Sequence, residues 1–233
     1  MLELFPEGFE EVDRPDGVEL AAYTDAAGEE RLWAFFAGAR GADVAGGWED
    51  KWRAFHRPVR VGRLWVGPPW EAPPGDALAV VVDPGRAFGT GSHPTTQLCL
   101  HALQELDPSG FLLDVGCGSG VLSIAAALLG FSPVLGVDVE APSIEATTEN
   151  ARANGVGATV EARLVRADDR LPRADTTVAN ISLEAVEALP PRVDTHRLLT
   201  SGYLVSEQPT LPGFEHVGRR VLEGWASDLY HRG

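Results

Sequence analysis

The chain has 233 residues, 44% of them apolar, enough to bury the core of one full domain plus a smaller appendage. Nineteen basic against thirty-four acidic residues give a net charge of −15, which opposes approach to a phosphate backbone, so no direct nucleic-acid contact is expected. Two cysteines, Cys99 and Cys117, do not make a disulfide framework, and no run reaches the roughly 20 apolar residues that span a bilayer, so no membrane partner and a reducing, cytoplasmic setting are expected.

Residues 1 to 37 alternate in a β-like way (Phe9, Val12, Val18, Leu20, Tyr23, then Leu32, Trp33, Phe35 and Phe36) around turn signals at Pro15-Asp16-Gly17 and Ala27-Gly28. The reading is a small antiparallel piece, too small to bury much surface by itself. Gly38 to Gly47 is small and flexible, a linker. Trp48, Trp52 and Phe55 recur at helical spacing, a strand is expected over Val59–Val66, and prolines follow; these aromatics are read as packing between two parts of the chain.

Ala77 to Val82 predicts a strand. It delivers DPGRAFGTGSHPTTQLCLHAL, Asp83 to Leu103, in which glycines, prolines and hydroxyls precede an amphipathic helix with Leu98, Cys99, Leu100 and Leu103 toward the core. Thr95 or Thr96 is placed to cap that helix. His93 has no second histidine at ligand spacing, so a structural role is expected and no metal site.

Leu112 to Val115 predicts a short buried strand and Ser119 to Leu129 a helix apolar almost all round, with a glycine turn between them. Glycines at 116, 118 and 120 remove the Cβ atoms that would hold a ligand off the backbone. A dinucleotide fingerprint would need a glycine where Val121 stands, and a phosphate loop would need a lysine where Val121 and Leu122 follow Gly120. The pattern Asp114-x-Gly116-x-Gly118-x-Gly120 resembles instead the first motif of class I methyltransferases, whose cofactor carries no phosphate. An ordinary tight strand-to-helix turn is the competing reading.

The chain then alternates: strand Val134–Val137 ending in Asp138, helix from Pro142 to about Asn154, strand Thr159–Val165, strand Thr177–Asn180, short helix Leu183–Leu189 and strand Gly202–Ser206. Such alternation implies a parallel sheet. Phe214–Leu222 and Trp225–His231, around Glu223-Gly224, predict a closing antiparallel hairpin. Functional groups in such a sheet gather at the carboxyl ends of its strands, here Asp114, Asp138, Asp168 with Asp169, and Asn180. Asp138 suits a carboxylate that accepts both ribose hydroxyls. Asp168 and Asp169 are read as a solvated loop, with contact to an adenine amine as the alternative.

AFGTGSHPTT and DVGCGSG, followed by GVD at 136–138 and VANI at 178–181, together resemble the ribosomal protein L11 methyltransferase family. The resemblance implies a Rossmann-like class I methyltransferase fold, α/β, with a mostly parallel seven-stranded sheet, a C-terminal antiparallel hairpin and a small N-terminal α+β piece. It implies three parts: 1–40, a reduced substrate-recognition piece; 41–75, a linker and Trp-rich segment; and 76–233, the cofactor domain. The family's substrate-recognition domain is usually complete, and Met1 falls about where its second half should begin. The crossover helix between strands five and six is expected to be missing, since only 207–213 joins them.

The implied cofactor is S-adenosyl-L-methionine, with Thr96, Gly116, Asp138 and Asn180 matching family positions, Asp114, Gly118 and Gly120 completing the loop, and Phe88 and Thr90 in the loop over its methionine end. The implied activity is methylation of lysine side chains and the α-amino group of ribosomal protein L11, a basic protein. Asn180 is the candidate catalytic residue, orienting an amine that loses its proton to water. Methylation of another protein or a small amine, or a non-catalytic cofactor-binding module, are the alternatives.

Overall fold

The computed structural model describes residues 10–14, 17–21, 32–33, 57–83 and 89–233, and the chain divides into two compact units, Met1–Trp52 and Arg53–Gly233. In the first, β1 (Glu10–Arg14) and β2 (Gly17–Ala21) pair antiparallel from Glu10↔Ala21 to Arg14↔Gly17, the small antiparallel piece expected there. Leu32 and Trp33 are helical, not extended as their alternation suggests. The expected linker at Gly38–Gly47 and the helix expected around Trp48, Trp52 and Phe55 lie outside the described residues.

The second unit begins with a three-stranded sheet. The single strand expected over Val59–Val66 is in fact two, β3 (Val59–Val61) and β4 (Leu64–Gly67), which pair antiparallel with Val61 opposite Leu64. The chain reverses at Gly62-Arg63, where Gly62 takes φ +57, a conformation that an apolar-rich run does not advertise. β5 (Leu78–Val81) then pairs parallel with β4.

Four helices follow: α1 (Pro94–Glu105), α2 (Val121–Leu129), α3 (Ala141–Ala153) and α4 (Leu183–Glu187). The apolar runs between them become β6 (Leu112–Val115), β7 (Val134–Asp138), β8 (Val160–Leu164), β9 (Ala174–Asn180) and β10 (Thr195–Leu204). These five pair in parallel, and the hairpin of β11 (Phe214–Leu222) and β12 (Trp225–Arg232) closes the sheet in the order β11-β12-β10-β9-β6-β7-β8. The fold is therefore the expected Rossmann-like one, mostly parallel with an antiparallel end.

Two apolar layers sandwich this sheet. One face packs Leu112, Val134 and Val178 against α1, α2 and the small sheet through Leu100, Leu103, Ile124 and Val66. The other buries Leu113, Leu135, Leu198 and Tyr203 under Val186, Leu189 and Leu211. Leu211 belongs to the connection 205–213 between β10 and β11, which is helix-free as the short 207–213 stretch implies, so an irregular segment covers this part of the sheet.

Two boundaries differ from expectation for physical reasons. β10 begins at Thr195, seven residues before the predicted start at Gly202; Thr195, His196 and Arg197 read as polar loop, yet Leu198 and Leu199 are both buried, one on each face. Gly202 is a bulge inside the strand, between Ser201 opposite Ser227 and Tyr203 opposite Ala226. At α1 the cap is His93 rather than Thr95 or Thr96: its Nδ1 accepts from the Thr95 amide at 3.3 Å and lies 2.7 Å from the Thr95 hydroxyl. Among the described residues no helix is long and apolar enough to cross a membrane.

Candidate functional site

The carboxyl ends of β6, β7 and β9 lie side by side, and the loop Gly116–Gly120 leaves the first of them. Its start is tied to the neighbouring strand, since the amides of Gly116 and Cys117 both donate to the Val137 carbonyl, at 2.8 and 3.1 Å. Beside it, the Asp138 carboxylate is held by backbone: Gly118 N donates to Oδ2 at 3.0 Å and Glu140 N to Oδ1 at 3.1 Å. Two N–H groups, one per oxygen, fix its orientation, and each oxygen keeps a further lone pair for an incoming donor. The geometry suits a ligand with two adjacent hydroxyls.

Asp114 lies deeper and is fully buried. Its Oδ2 accepts from the Ser123 hydroxyl at 2.6 Å, while Oδ1 is buried with no hydrogen-bond partner. Burial pushes its carboxyl up to about 6, against the pull of the Ser123 hydrogen bonds and with a further rise from Asp138. A buried acceptor oxygen left unpaired beneath a glycine loop marks a place where a ligand or water donor belongs.

Sequence reasoning missed what holds the loop from behind. The buried side of α3 is polar: Thr147 Oγ1 donates to the Gly118 carbonyl at 3.0 Å, and Asn150 Nδ2 to the Ser119 carbonyl at 2.9 Å. Asn150 Oδ1 also accepts from Asp83 N at 3.2 Å. Asn154, the helix's C-cap, brackets Val81 as a strand would, accepting from its amide at 2.8 Å and donating to its carbonyl at 2.6 Å. Three side chains thus lock β5 and the glycine loop onto one helix. The signal was available: Ser143, Thr147, Asn150 and Asn154 recur every three or four residues along one stripe.

The segment Gly89–Thr96 reaches the same place. Ser119 Oγ donates to the Gly89 carbonyl, Thr90 Oγ1 lies 2.9 Å from Ser92 Oγ, and Asn180 Nδ2 donates to the buried Thr96 Oγ1 at 3.3 Å. The structure therefore brings Thr96 together with Asn180, and Gly118 with Asp138, around a loop that Gly116 and Gly120 complete. Phe88 lies outside the described residues. His93 has the structural place expected of it, capping α1 with its ring 4.8 Å from that of Trp225. Asp168 is exposed, 3.6 Å from Arg166, and Asp169 accepts from the Arg166 amide, a solvated loop as read.

The family described as ribosomal protein L11 methyltransferase (PrmA) matches residues 42–208. A ribosomal protein L11 methyltransferase of Aeromonas hydrophila is 40% identical over 191 residues, covering 76% of this chain and 65% of that protein. One of Shigella sonnei is 43% identical over 185 residues, covering 78% and 62%. The chain thus spans less than two thirds of the length of these curated relatives. Among solved structures, a ribosomal protein L11 methylase of Lactobacillus delbrueckii subsp. bulgaricus superimposes with a TM-score of 0.65 at 28% identity, covering 76% of this chain and 99% of that one.

Proposed function

The chain belongs to the ribosomal protein L11 methyltransferase family, and on that premise we propose that it transfers methyl groups from S-adenosyl-L-methionine to amines of ribosomal protein L11, lysine side chains or the α-amino group. The observation that carries this reading is the Asp138 carboxylate, held by two backbone amides beside a loop of three glycines, with the Thr96–Asn180 pair at the neighbouring strand end. When bound, the cofactor supplies a methyl group on a positive sulfur, already activated toward a neutral nitrogen.

The chain's own residues then do three things. Asp138 would accept the two ribose hydroxyls, and the bare backbone of Gly116, Gly118 and Gly120 would allow close approach of the ligand, with Thr90 in the neighbouring segment. Asp114, whose Oδ1 lacks a partner, supplies a buried negative acceptor under the loop. Thr96 accepts from Nδ2 of Asn180, which makes Oδ1 the amide atom that accepts an N–H of the incoming amine and turns its lone pair toward the methyl group. A lysine ammonium has no lone pair, so it would first give a proton to water, leaving a neutral nitrogen for Asn180 to orient toward the methyl group that the cofactor would supply. Orientation and desolvation are the protein's contributions.

A net charge of −15 favours a basic protein substrate over nucleic acid, in a cytoplasmic setting. Residues 1–40 serve as a substrate-recognition piece, and 41–75 lead from it to a cofactor domain over 76–233, against whose core Val61, Leu64 and Val66 of that stretch pack. The test is incubation with methyl-labelled cofactor and unmethylated ribosomal protein L11 beside a cell lysate. Label is expected on lysine or the α-amino group of L11. Label only on another component selects a different amine substrate, and saturable cofactor binding without transfer selects a binding module.

A further inference from the structure

We propose that Gly202 and Ile181 are positioning residues, forming a clamp that sets the orientation of the Asn180 side chain; this rests on the role given to Asn180 above. β9 pairs with β10 as far as Asn180 opposite Ser201, and the next amide, Ile181 N, still donates to the Ser201 carbonyl at 3.1 Å. There β10 bulges at Gly202, which takes φ +108. A Cβ at that position would collide with the Ile181 carbonyl oxygen and lie 2.7 Å from its carbonyl carbon. On the other side, Gly116 at φ +76 has its bare Cα against Ile181, and a Cβ there would collide with Ile181 Cγ2.

Ile181 is therefore gripped by two glycines, Gly202 within β10 and Gly116 at the start of the loop after β6, and the residue before it is Asn180. The bulge does what a regular strand cannot: it lets the β10 backbone come up against the peptide at which β9 leaves the sheet. The direction of that exit decides whether Asn180 Nδ2 meets Thr96 Oγ1, at 3.3 Å in the structure. Neither Gly202 nor Ile181 needs to touch a substrate for this, so each acts through Asn180.

Two variants test the clamp. Gly202→Ala forces the Ile181 peptide away; Ile181→Ala keeps both glycines and loosens the grip from the side-chain end, so it reports even if the first variant folds poorly. In spectra of ¹⁵N-labelled protein, the Asn180 side-chain amide resonances are expected to shift in both variants, while those of Asn150 and Asn154 stay in place. In methyl transfer, kcat is expected to fall about 100-fold for Gly202→Ala and about 10-fold for Ile181→Ala, with the cofactor KM changed by less than about threefold. In an Asn180→Ala background, neither change should lower kcat further, because the group they position is gone. Unmoved Asn180 amide resonances, or losses that multiply with Asn180→Ala, would overturn the clamp. An unsubstituted chain that transfers no methyl group, with the Asn180 resonances still shifting, would leave the clamp standing and remove the function it serves.

Discussion

Asp138→Ala is expected to weaken S-adenosyl-L-methionine binding by about 1–3 kcal/mol, roughly 5- to 150-fold in Kd, with the fold intact. The carboxylate accepts from Gly118 N and Glu140 N, and in the proposed site it also accepts two ligand hydroxyls, so alanine would remove the ligand's partners and leave two backbone donors to find water. Asp138→Asn is not a mild alternative. Each carboxylate oxygen already faces an N–H, so whichever oxygen becomes the NH₂ group sets donor against donor and twists the side chain away from the ligand. Calorimetric titration of both variants checks this. Unchanged affinity in folded Asp138→Ala protein would remove Asp138 from the cofactor site.

The second large effect concerns stability rather than chemistry. Asp228 on β12 is fully buried, and Arg219 on β11 meets it with Nε at 2.9 Å from Oδ1 and Nη2 at 2.8 Å from Oδ2. Tyr203 donates to Oδ2 at 2.8 Å, and His216 Nε2 lies 2.7 Å from Oδ1. The same guanidinium donates to the carbonyls of Val205 and Glu207, at 3.0 and 2.7 Å, anchoring the start of the helix-free connection. Arg219→Ala strands a buried charge and frees that segment together, so a loss of about 3–5 kcal/mol is expected in urea unfolding at pH 7. Lysine rescues little, because it offers no planar fork to a carboxylate and two carbonyls.

The pH dependence of that loss has a definite sign. Burial by itself raises the Asp228 carboxyl, but hydrogen bonds from Arg219, Tyr203 and His216 outweigh it and hold the group below the usual carboxylate range. Its stabilisation is therefore present above about pH 4 and lost as pH falls through the folded value. Without Arg219 the carboxyl takes up a proton more readily. The difference between Arg219→Ala and the unsubstituted chain should be largest at neutral pH and shrink toward pH 4. A difference that is flat with pH, or below about 1 kcal/mol at pH 7, would mean that His216 and Tyr203 suffice.

What was legible in the sequence was whatever depends on spacing along the chain. The glycine loop, Asp138 and the hairpin about Glu223-Gly224 are local patterns, and the parallel sheet follows from strand and helix runs in alternation. Less legible were features in which one segment reverses or covers another. Val59–Val66 reads as one apolar strand, although its turn rests on a single glycine at positive φ. Gly202 reads as the start of a strand, although it is a bulge in the middle of one. The buried polar stripe of α3 was hidden by the habit of assigning asparagines to the surface, whereas Asn150 and Asn154 satisfy backbone groups of β5 and the glycine loop. The pairing of Asn180 with Thr96 spans 84 residues and no local pattern contains it, so only the resemblance to a family brought the two together beforehand.

The carboxyl ends of β6, β7 and β9 are the proposed S-adenosyl-L-methionine site. Calorimetric titration of the 233-residue chain with that cofactor tests it most directly. Saturable binding with a micromolar Kd, about −8 kcal/mol, is the predicted result. Absence of heat at millimolar cofactor, with no rise in the unfolding temperature of folded protein, would contradict it.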